Sequence, residues 1–269
     1  MFKNSADRIP VAIILLLTVL DFVVFINTES IWLFAVYLLI MIIPKACISA
    51  WNHHHQHAQV FKQKALNRVL ELFYALHTGI TTNLWVLHHN MGHHRNFLDQ
   101  EKDESRWKRK DGSSMNRIEY TLSVALTAYS RGFKVGKKYP KMRKDFVIFT
   151  GVTVLVLIGL TIYNPLSALF VFILPMIISL LYTALATFDH HAGLDTTDQF
   201  AASYNNTSKI YNWFTGNLGY HTAHHYKHGI HWSKLPELHE QIKEKIPENC
   251  YCKPFWGEVK RMFKINKNS

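Results

Sequence analysis

Four long apolar segments divide the chain, and polar, basic stretches separate them. The apolar segments cover about residues 9–27, 31–51, 146–163 and 166–188. A helix of about 20 apolar residues is long enough to cross the hydrocarbon core of a bilayer. We therefore predict an all-α integral membrane protein with four transmembrane helices, organised as a single membrane-embedded domain over residues 1–269.

The remaining residues, 52–145 and 189–269, are more polar, and we expect them to form a helical cap beside the membrane. Within this cap, apolar residues recur at helical spacing from Leu70 to Leu87, which predicts an amphipathic or re-entrant helix. A second apolar face consists of Ile118, Leu122, Ala125, Leu126 and Tyr129 and predicts a helix that lies in the interface.

The distribution of basic residues predicts the orientation in the membrane. Of the 30 lysines and arginines, 2 precede the first apolar segment, 18 lie between Lys45 and Lys144, and 10 follow the fourth segment. The turns at 28–30 and 164–165 contain none. By the positive-inside bias, both termini and the whole cap are cytoplasmic.

The net charge of +11 favours an acidic partner or an anionic membrane surface. Nucleic acid is not expected, because basic residues next to membrane spans usually contact lipid phosphates. The three cysteines are too few for a disulfide framework, and we expect free thiols. Two polar residues receive structural interpretations: Asp21 as a solvated carboxylate at the interface, and His77 as a packed or hydrogen-bonded imidazole. Pro175 is expected to kink the fourth span.

Histidine is unusually frequent, with 17 residues, and all of them follow the second span or the fourth. Most occur in clusters spaced by three or four residues, a spacing that returns side chains to one face of a helix. Neutral imidazole is a good ligand for iron, zinc, copper and nickel. We predict nine metal ligands: His53, His57, His89, His93, His94, His190, His221, His224 and His225.

Two choices within this set stay open. His190 and His191 are adjacent and cannot both face one point, and we favour His190 because it follows an acidic residue. In the first cluster, His54 or His55 could replace His53.

Nine ligands exceed what one ion can take and suit two ions. Two closed tetrahedral zinc sites would use eight ligands, so the count alone leaves a structural role open. Asn217 lies one helical turn before His221, and Asp189 precedes His190. Both are expected to hold the orientation of the imidazoles, as polar neighbours of metal ligands do.

The order of the clusters resembles the membrane fatty acid desaturase superfamily. The matching motifs are H-x-x-x-H at 53–57, H-x-x-x-H-H at 89–94 and H-x-x-H-H at 221–225, interleaved with four spans. The resemblance extends from the second span through His225. Gly92 and the Asp189-His190 pair are closer to the alkane hydroxylase branch of the superfamily.

The resemblance implies a histidine-ligated centre of two iron ions that uses O₂ and two electrons to attack an unactivated C–H bond of an acyl chain. We expect a fatty acid desaturase that acts on a membrane lipid or acyl chain, with no catalytic residue beyond the metal centre. The alternative is a fatty acid or alkane hydroxylase that uses the same site. A non-catalytic metal-binding or metal-transport protein is a remote alternative, because the spans contain few polar residues at mid-membrane.

The chain has no C-x-x-C-H motif for haem and no set of four cysteines for an iron–sulfur cluster. Electrons are therefore expected to come from a separate protein of the ferredoxin, rubredoxin or cytochrome b5 type, which the basic cytoplasmic face would attract.

Overall fold

The computed structural model describes residues 1–252, and this part of the chain consists of helices and connecting segments without a β-strand. The prediction of an all-α protein is confirmed for these residues. The α-helices are α1 Arg8–Asn27, α2 Ile31–His57, α3 Lys64–Thr78, α4 Arg117–Val135, α5 Pro140–Tyr163, α6 Pro165–Ala168, α7 Leu174–His191, α8 Lys209–Thr215, α9 His221–Tyr226 and α10 Leu235–Ile242.

Two π-helical segments interrupt this arrangement. The first π segment, Val86–His94, lies between α3 and α4. The second π segment, Leu169–Ile173, joins α6 to α7. Pro175 lies in the first turn of α7, directly after the second π segment. The fourth span is therefore irregular where the π-helix changes to an α-helix, and this change precedes Pro175. Short 3-10 helices cover Ser5–Asp7, Gly136–Lys138, Trp232–Lys234, Lys243–Lys245 and Glu248–Cys250.

Four helical stretches have the length and apolarity to cross a membrane. They are Ser5–Asn27, Ile31–His57, Pro140–Tyr163 and Pro165–His191, with mean hydropathies of 2.9, 2.3, 2.4 and 2.4. This confirms the four predicted spans by length and composition. The second and fourth helices continue beyond their apolar segments into the histidine clusters. Because both begin after short turns, their histidine-bearing ends lie at the same end of the bundle.

The outer faces of these helices expose apolar side chains. Leu16, Leu39 and Leu155 are 67%, 68% and 69% exposed. Phenylalanines fill the interior instead, and Phe25 packs against Phe172 with ring centroids 5.6 Å apart. An apolar exterior around an aromatic core indicates an integral membrane protein.

The cap helices are more amphipathic than the spans. α3 packs against α2 and α7, and α4 packs against α7 and the first π segment. The apolar residues of α4 divide between two faces: Ala125 is buried at 6% exposure, whereas Ile118 and Leu126 are exposed at 73% and 79%. The location of α4 in the interface stays a prediction, as does the cytoplasmic side of the cap.

The prediction for Asp21 is wrong. Its side chain is fully buried between helices, and its Oδ2 atom accepts a hydrogen bond of 2.9 Å from Lys45 Nζ. Tyr37 Oη donates to its Oδ1 atom at 2.6 Å. The sequence placed Asp21 near an end of its span, but only packing reveals that Lys45 on α2 faces the same interior point. A buried charge is stable when it is paired and hydrogen-bonded.

His77 belongs to the same interior network. Its Nδ1 atom lies 3.2 Å from Asp21 Oδ2, and its Nε2 atom is 2.9 Å from Thr18 Oγ1. The prediction of a hydrogen-bonded structural histidine is therefore confirmed. Cys47, Cys250 and Cys252 all lie within the described residues and form no disulfide, also as predicted.

Candidate metal centre

Imidazoles from α2, α7, α9 and the first π segment meet at one end of the helix bundle. They form two groups, and within each group the potential ligand atoms all lie within 4.8 Å of one another. The first group consists of His53, His57, His89, His94 and His224, and the second group consists of His93, His191 and His225.

The last turns of α2 supply two members of the first group. His53 and His57 are one helical turn apart, and their ring centroids are separated by 4.9 Å. His53 Nε2 lies 2.9 Å from Nε2 of His224, which belongs to α9. The i, i+4 spacing therefore brings these imidazoles together as expected from the sequence.

The two neighbouring histidines of α2 have other partners. His54 Nε2 is hydrogen-bonded to the carbonyl oxygen of Thr215 at 3.0 Å. His55 Nε2 lies 3.3 Å from Oε1 of the buried Glu71. Of these three histidines, only His53 lies within the first group.

The first π segment divides its three histidines between the two groups. A π-helix bonds residue i to residue i+5, so residues five apart become neighbours. His89 Nε2 accordingly lies 2.9 Å from Nε2 of His94, whereas His93 belongs to the second group. Gly92 allows the chain to pass close to Glu104, because a Cβ atom at residue 92 would be 2.7 Å from Cγ of Glu104.

α9 also contributes to both groups. His224 belongs to the first group and His225 to the second. His221 lies beside the second group, with its Nε2 atom 3.1 Å from Nε2 of His191. Asn217 precedes α9 in a left-handed conformation with φ of 64°, and its side chain donates to the carbonyl oxygen of Trp232 at 3.3 Å. The expected position of Asn217 on the helix of His221 is wrong, because α9 begins at His221.

At the end of α7 the structure brings His191, rather than the favoured His190, into the second group. His191 Nε2 lies 3.2 Å from Nε2 of His93. His190 stacks on His221, with ring centroids 3.8 Å apart, and belongs to neither group. Asp189 is 46% exposed and accepts a hydrogen bond of 2.6 Å from Arg117.

Two hydrogen-bond partners of the second group were not identified from the sequence. The buried carboxylate of Asp103 lies 2.8 and 2.9 Å from Nδ1 of His93. The carbonyl oxygen of Ala202 accepts a hydrogen bond of 2.9 Å from Nδ1 of His191. Nothing in the spacing distinguishes Asp103 from the acidic residues around it. Such partners fix the tautomer and orientation of an imidazole that binds a metal.

The electrostatics and the unpaired nitrogens of the site fit metal ions. Burial, reinforced by the neighbouring imidazoles, holds the pKa of five cap histidines well below the usual range, so that these rings are neutral: His89, His94, His221, His224 and His225. Both ring nitrogens of His57 and of His225 are buried without a hydrogen-bond partner. Neutral imidazoles with converging lone pairs are the donor set that a first-row metal requires.

A pocket between α2 and α7 leads to these histidines. The hydroxyl groups of its serine and threonine residues are hydrogen-bonded to carbonyl oxygens four residues earlier in their own helices: Ser49 to Lys45 at 3.4 Å, Thr183 to Ser179 at 2.8 Å, Thr187 to Thr183 at 3.0 Å and Thr215 to Tyr211 at 2.8 Å. These residues therefore present carbon atoms to the pocket. Its lining residues are Ala46, Ser49, Ala50, His53, His89, Tyr182, Thr183, Ala186, Thr187, His190, Tyr211, Thr215, Leu218 and His221.

The fold and the site together define the class of protein: an all-helical protein with four candidate membrane spans and a histidine cluster suited to metal ions. The model of the family described as Fatty acid desaturase matches residues 30–256, which is most of the chain. The protein belongs to this family, as the histidine motifs predicted, and the family implies an oxidoreductase that acts on acyl chains. In comparisons with curated proteins and with solved structures, nothing matches.

Proposed function

We propose that this protein is an O₂-dependent membrane oxidase of an aliphatic acyl chain, and that its reaction is fatty acid desaturation. One observation carries the proposal: the lining of an apolar pocket includes His53 and His89, two imidazoles of the first group. An unactivated C–H bond offers no group for acid–base catalysis, so its oxidation would need a redox-active metal beside such a pocket.

The two groups of imidazoles are suited to two iron ions. The five histidines of the first group would hold one ion. His93, His191 and His225, joined by the adjacent His221, would hold the other. Bound iron would supply, with O₂ and two electrons, the oxidising power for cleavage of the C–H bond. This ligand set keeps the count of nine and replaces His190 with His191.

The chain's own residues prepare the site. Asp103 accepts a hydrogen bond from Nδ1–H of His93, which leaves Nε2 free as a ligand atom, and the carbonyl oxygen of Ala202 does the same for His191. Along the pocket, Ala46, Ala50 and Ala186 leave room for a chain of methylene groups beside the histidines. An apolar wall excludes water and fixes the chain by length and shape, so specificity would be positional.

Electrons would arrive from a separate acidic protein. Arg95 directly follows His94 and is exposed, and Lys137, Lys138 and Lys141 are exposed nearby. Arg95 Nη1 donates to Tyr139 Oη at 2.7 Å, which joins the two basic stretches. This basic surface begins at Arg95, the residue after His94 of the first group. An acidic ferredoxin, rubredoxin or cytochrome b5 bound there would therefore have a short path for electrons to the histidines.

The test is expression in a host of known lipid composition, followed by mass spectrometry of total fatty acids. We expect an O₂-dependent product that is two hydrogens lighter than its precursor. The His225→Ala variant should abolish the product, whereas His239→Ala should not, because His239 lies outside both groups. A product heavier by one oxygen atom would identify a hydroxylase instead. No acyl product from iron-loaded protein supplied with a reducing partner would refute the proposal.

A further inference from the structure

We propose that α8 is a membrane-immersed helix at the rim of the pocket: one face lies in the bilayer, and a neighbouring face lines the passage to the histidines. An acyl chain would then enter sideways from the membrane, between α8 and α7. The position of α8 is independent of the reaction, but the identity of the entering chain rests on the proposed function.

The two faces of α8 differ in exposure. Ile210, Trp213 and Phe214 are 73%, 73% and 45% exposed, and their i, i+3, i+4 spacing places them on one face. Tyr211 and Thr215 are also one helical turn apart and line the pocket. A helix of seven residues therefore separates an exposed apolar surface from the route to the imidazoles.

Hydrogen bonds hold the exposed face outward. The buried side chain of Asn212 donates to the carbonyl oxygens of Asn206 at 2.8 Å and Ser208 at 3.0 Å, and accepts from the backbone of Gly219 at 3.0 Å. The carbonyl oxygen of Thr215 is bonded to Nε2 of His54. These contacts fix the rotation of α8 about its axis, so Trp213 and Phe214 cannot turn inward.

Close packing also fixes the end of α8. Gly216 follows α8 in a left-handed conformation with φ of 60°, and a Cβ atom there would lie 2.6 Å from Cζ3 of Trp51. Only glycine lets α8 approach α2 this closely without strain. The exposed aromatic pair is therefore carried by a helix docked on the histidine-bearing end of α2.

The surroundings of the pocket indicate that the bilayer covers this surface. Tyr182 lines the pocket from α7 and is itself 41% exposed. On α2, Ile43 is 69% exposed and lies one turn before the pocket residue Ala46. The mouth is thus bordered by the outward faces of two membrane spans. Tryptophan and phenylalanine next to such a border suit the membrane interface, and an exposed lysine, Lys209, begins the helix.

The experiment locates Trp213 in protein reconstituted into phosphatidylcholine and phosphatidylglycerol vesicles. Cys47 and Cys252 are replaced by alanine, the buried Cys250 is kept, and Trp213→Cys is labelled with an environment-sensitive fluorophore. We expect lipids with a spin label on the acyl chain to quench most of its fluorescence, and aqueous iodide to quench little.

Two matched controls set the scale. A label at Leu155→Cys, on the exposed face of a span, should be quenched by the spin-labelled lipid. A label at Ser113→Cys, in an exposed loop, should be quenched by iodide. The proposal would be overturned if iodide quenched the label at residue 213 as strongly as the label at residue 113. That result would include the case in which a soluble protein, rather than lipid, covers α8.

If the labelled variant does not fold, Trp213→Phe replaces it. Brominated lipid should then quench the intrinsic fluorescence of the variant less than that of the wild type, and unchanged quenching would overturn the proposal.

A second measurement tests the route through the mouth without using turnover. Vesicles contain a phospholipid with a photoreactive acyl chain, and crosslinked peptides are identified by mass spectrometry. Crosslinks are expected on α8 and on pocket residues such as Ala50. Thr215→Trp, which fills the passage, should remove the crosslinks at Ala50 and retain those on α8. Crosslinks at Ala50 that persist in this variant would refute the sideways route. Failure of the proposed oxidation would appear differently, as absent product with both quenching and crosslinking intact.

Discussion

The carboxylate of Asp103 lies 2.8 Å from Nδ1 of His93, while Nε2 of the same ring faces His191 at 3.2 Å. One nitrogen of His93 is thus engaged by an acid and the other points into the second group. The carboxylate fixes the tautomer that leaves Nε2 unprotonated, and it holds the ring in place.

Replacement of Asp103 should therefore weaken binding of the metal ion at the second group of histidines more than binding of the ion at the first group. We expect Asp103→Ala to lower the affinity for that ion by about 10–100-fold, the usual effect of losing the hydrogen-bond partner of a ligand. Asp103→Asn should have a smaller effect, because its amide oxygen can still accept from Nδ1. Metal titration followed by mass spectrometry of the native protein measures this. Glu101→Gln, at an exposed neighbour, is the control. Wild-type affinity in Asp103→Ala would contradict the proposed role.

His190 and His191 provide a direct test of the ligand assignment. His191→Ala should lose about half of the bound iron, because it removes one member of the second group, which has the fewer histidines. His190→Ala should keep its iron, since its ring stacks on His221 outside both groups. Iron per protein, measured by atomic absorption, separates the two variants, with His239→Ala as the control. The reverse pattern would restore His190 as the ligand.

Metal exchange should separate binding from activity. Zinc binds nitrogen-rich sites more tightly than Fe(II), so protein purified without care over metals is expected to contain zinc and to be inactive. Removal of metal by a chelator and reloading with Fe(II) under nitrogen should restore O₂-dependent product formation. The measurement is product per minute against metal content. Equal activity of the zinc-loaded protein would exclude an iron-dependent oxidase.

The buried pair of Asp21 and Lys45 predicts an effect on stability. Lys45→Met should destabilise the protein by about 3–5 kcal/mol, because it leaves a carboxylate buried without its cation. Asp21→Asn in the same chain should recover part of that loss. Unfolding in mixed detergent micelles measures both variants. Ile43→Leu, on the exposed face of the same helix, is the control and should have little effect. An unchanged stability in Lys45→Met would contradict the interpretation of the pair.

The positive-inside bias predicts a membrane orientation that can be tested with single cysteines. Ser30 lies in the first turn, which has no basic residue, and Ser113 lies in the basic central loop. In sealed inside-out vesicles, an impermeant thiol reagent should label Ser113→Cys and spare Ser30→Cys. The opposite result would reverse the topology. The predicted cytoplasmic position of the C-terminus concerns residues outside the described range.

The sequence by itself determined the elements that depend on local composition. Long apolar segments specify membrane spans because each must bury its backbone polar groups in its own helix, whatever its neighbours are. The spacing of His53 and His57 specified a shared face in the same local way. The family followed from these local patterns, because its histidine motifs are contiguous in the chain.

Only the tertiary structure decided how the histidines divide and what supports them. The first π segment brings His94 to His89 in the first group and leaves His93 to the second, and a change from i+4 to i+5 bonding leaves no mark in the spacing of the residues. Asp103 and His93 meet because a loop folds back, and Asp21 and Lys45 meet because two helices pack. Each contact depends on the relative placement of separate segments. That placement is set by packing across the whole bundle, which the local sequence does not encode.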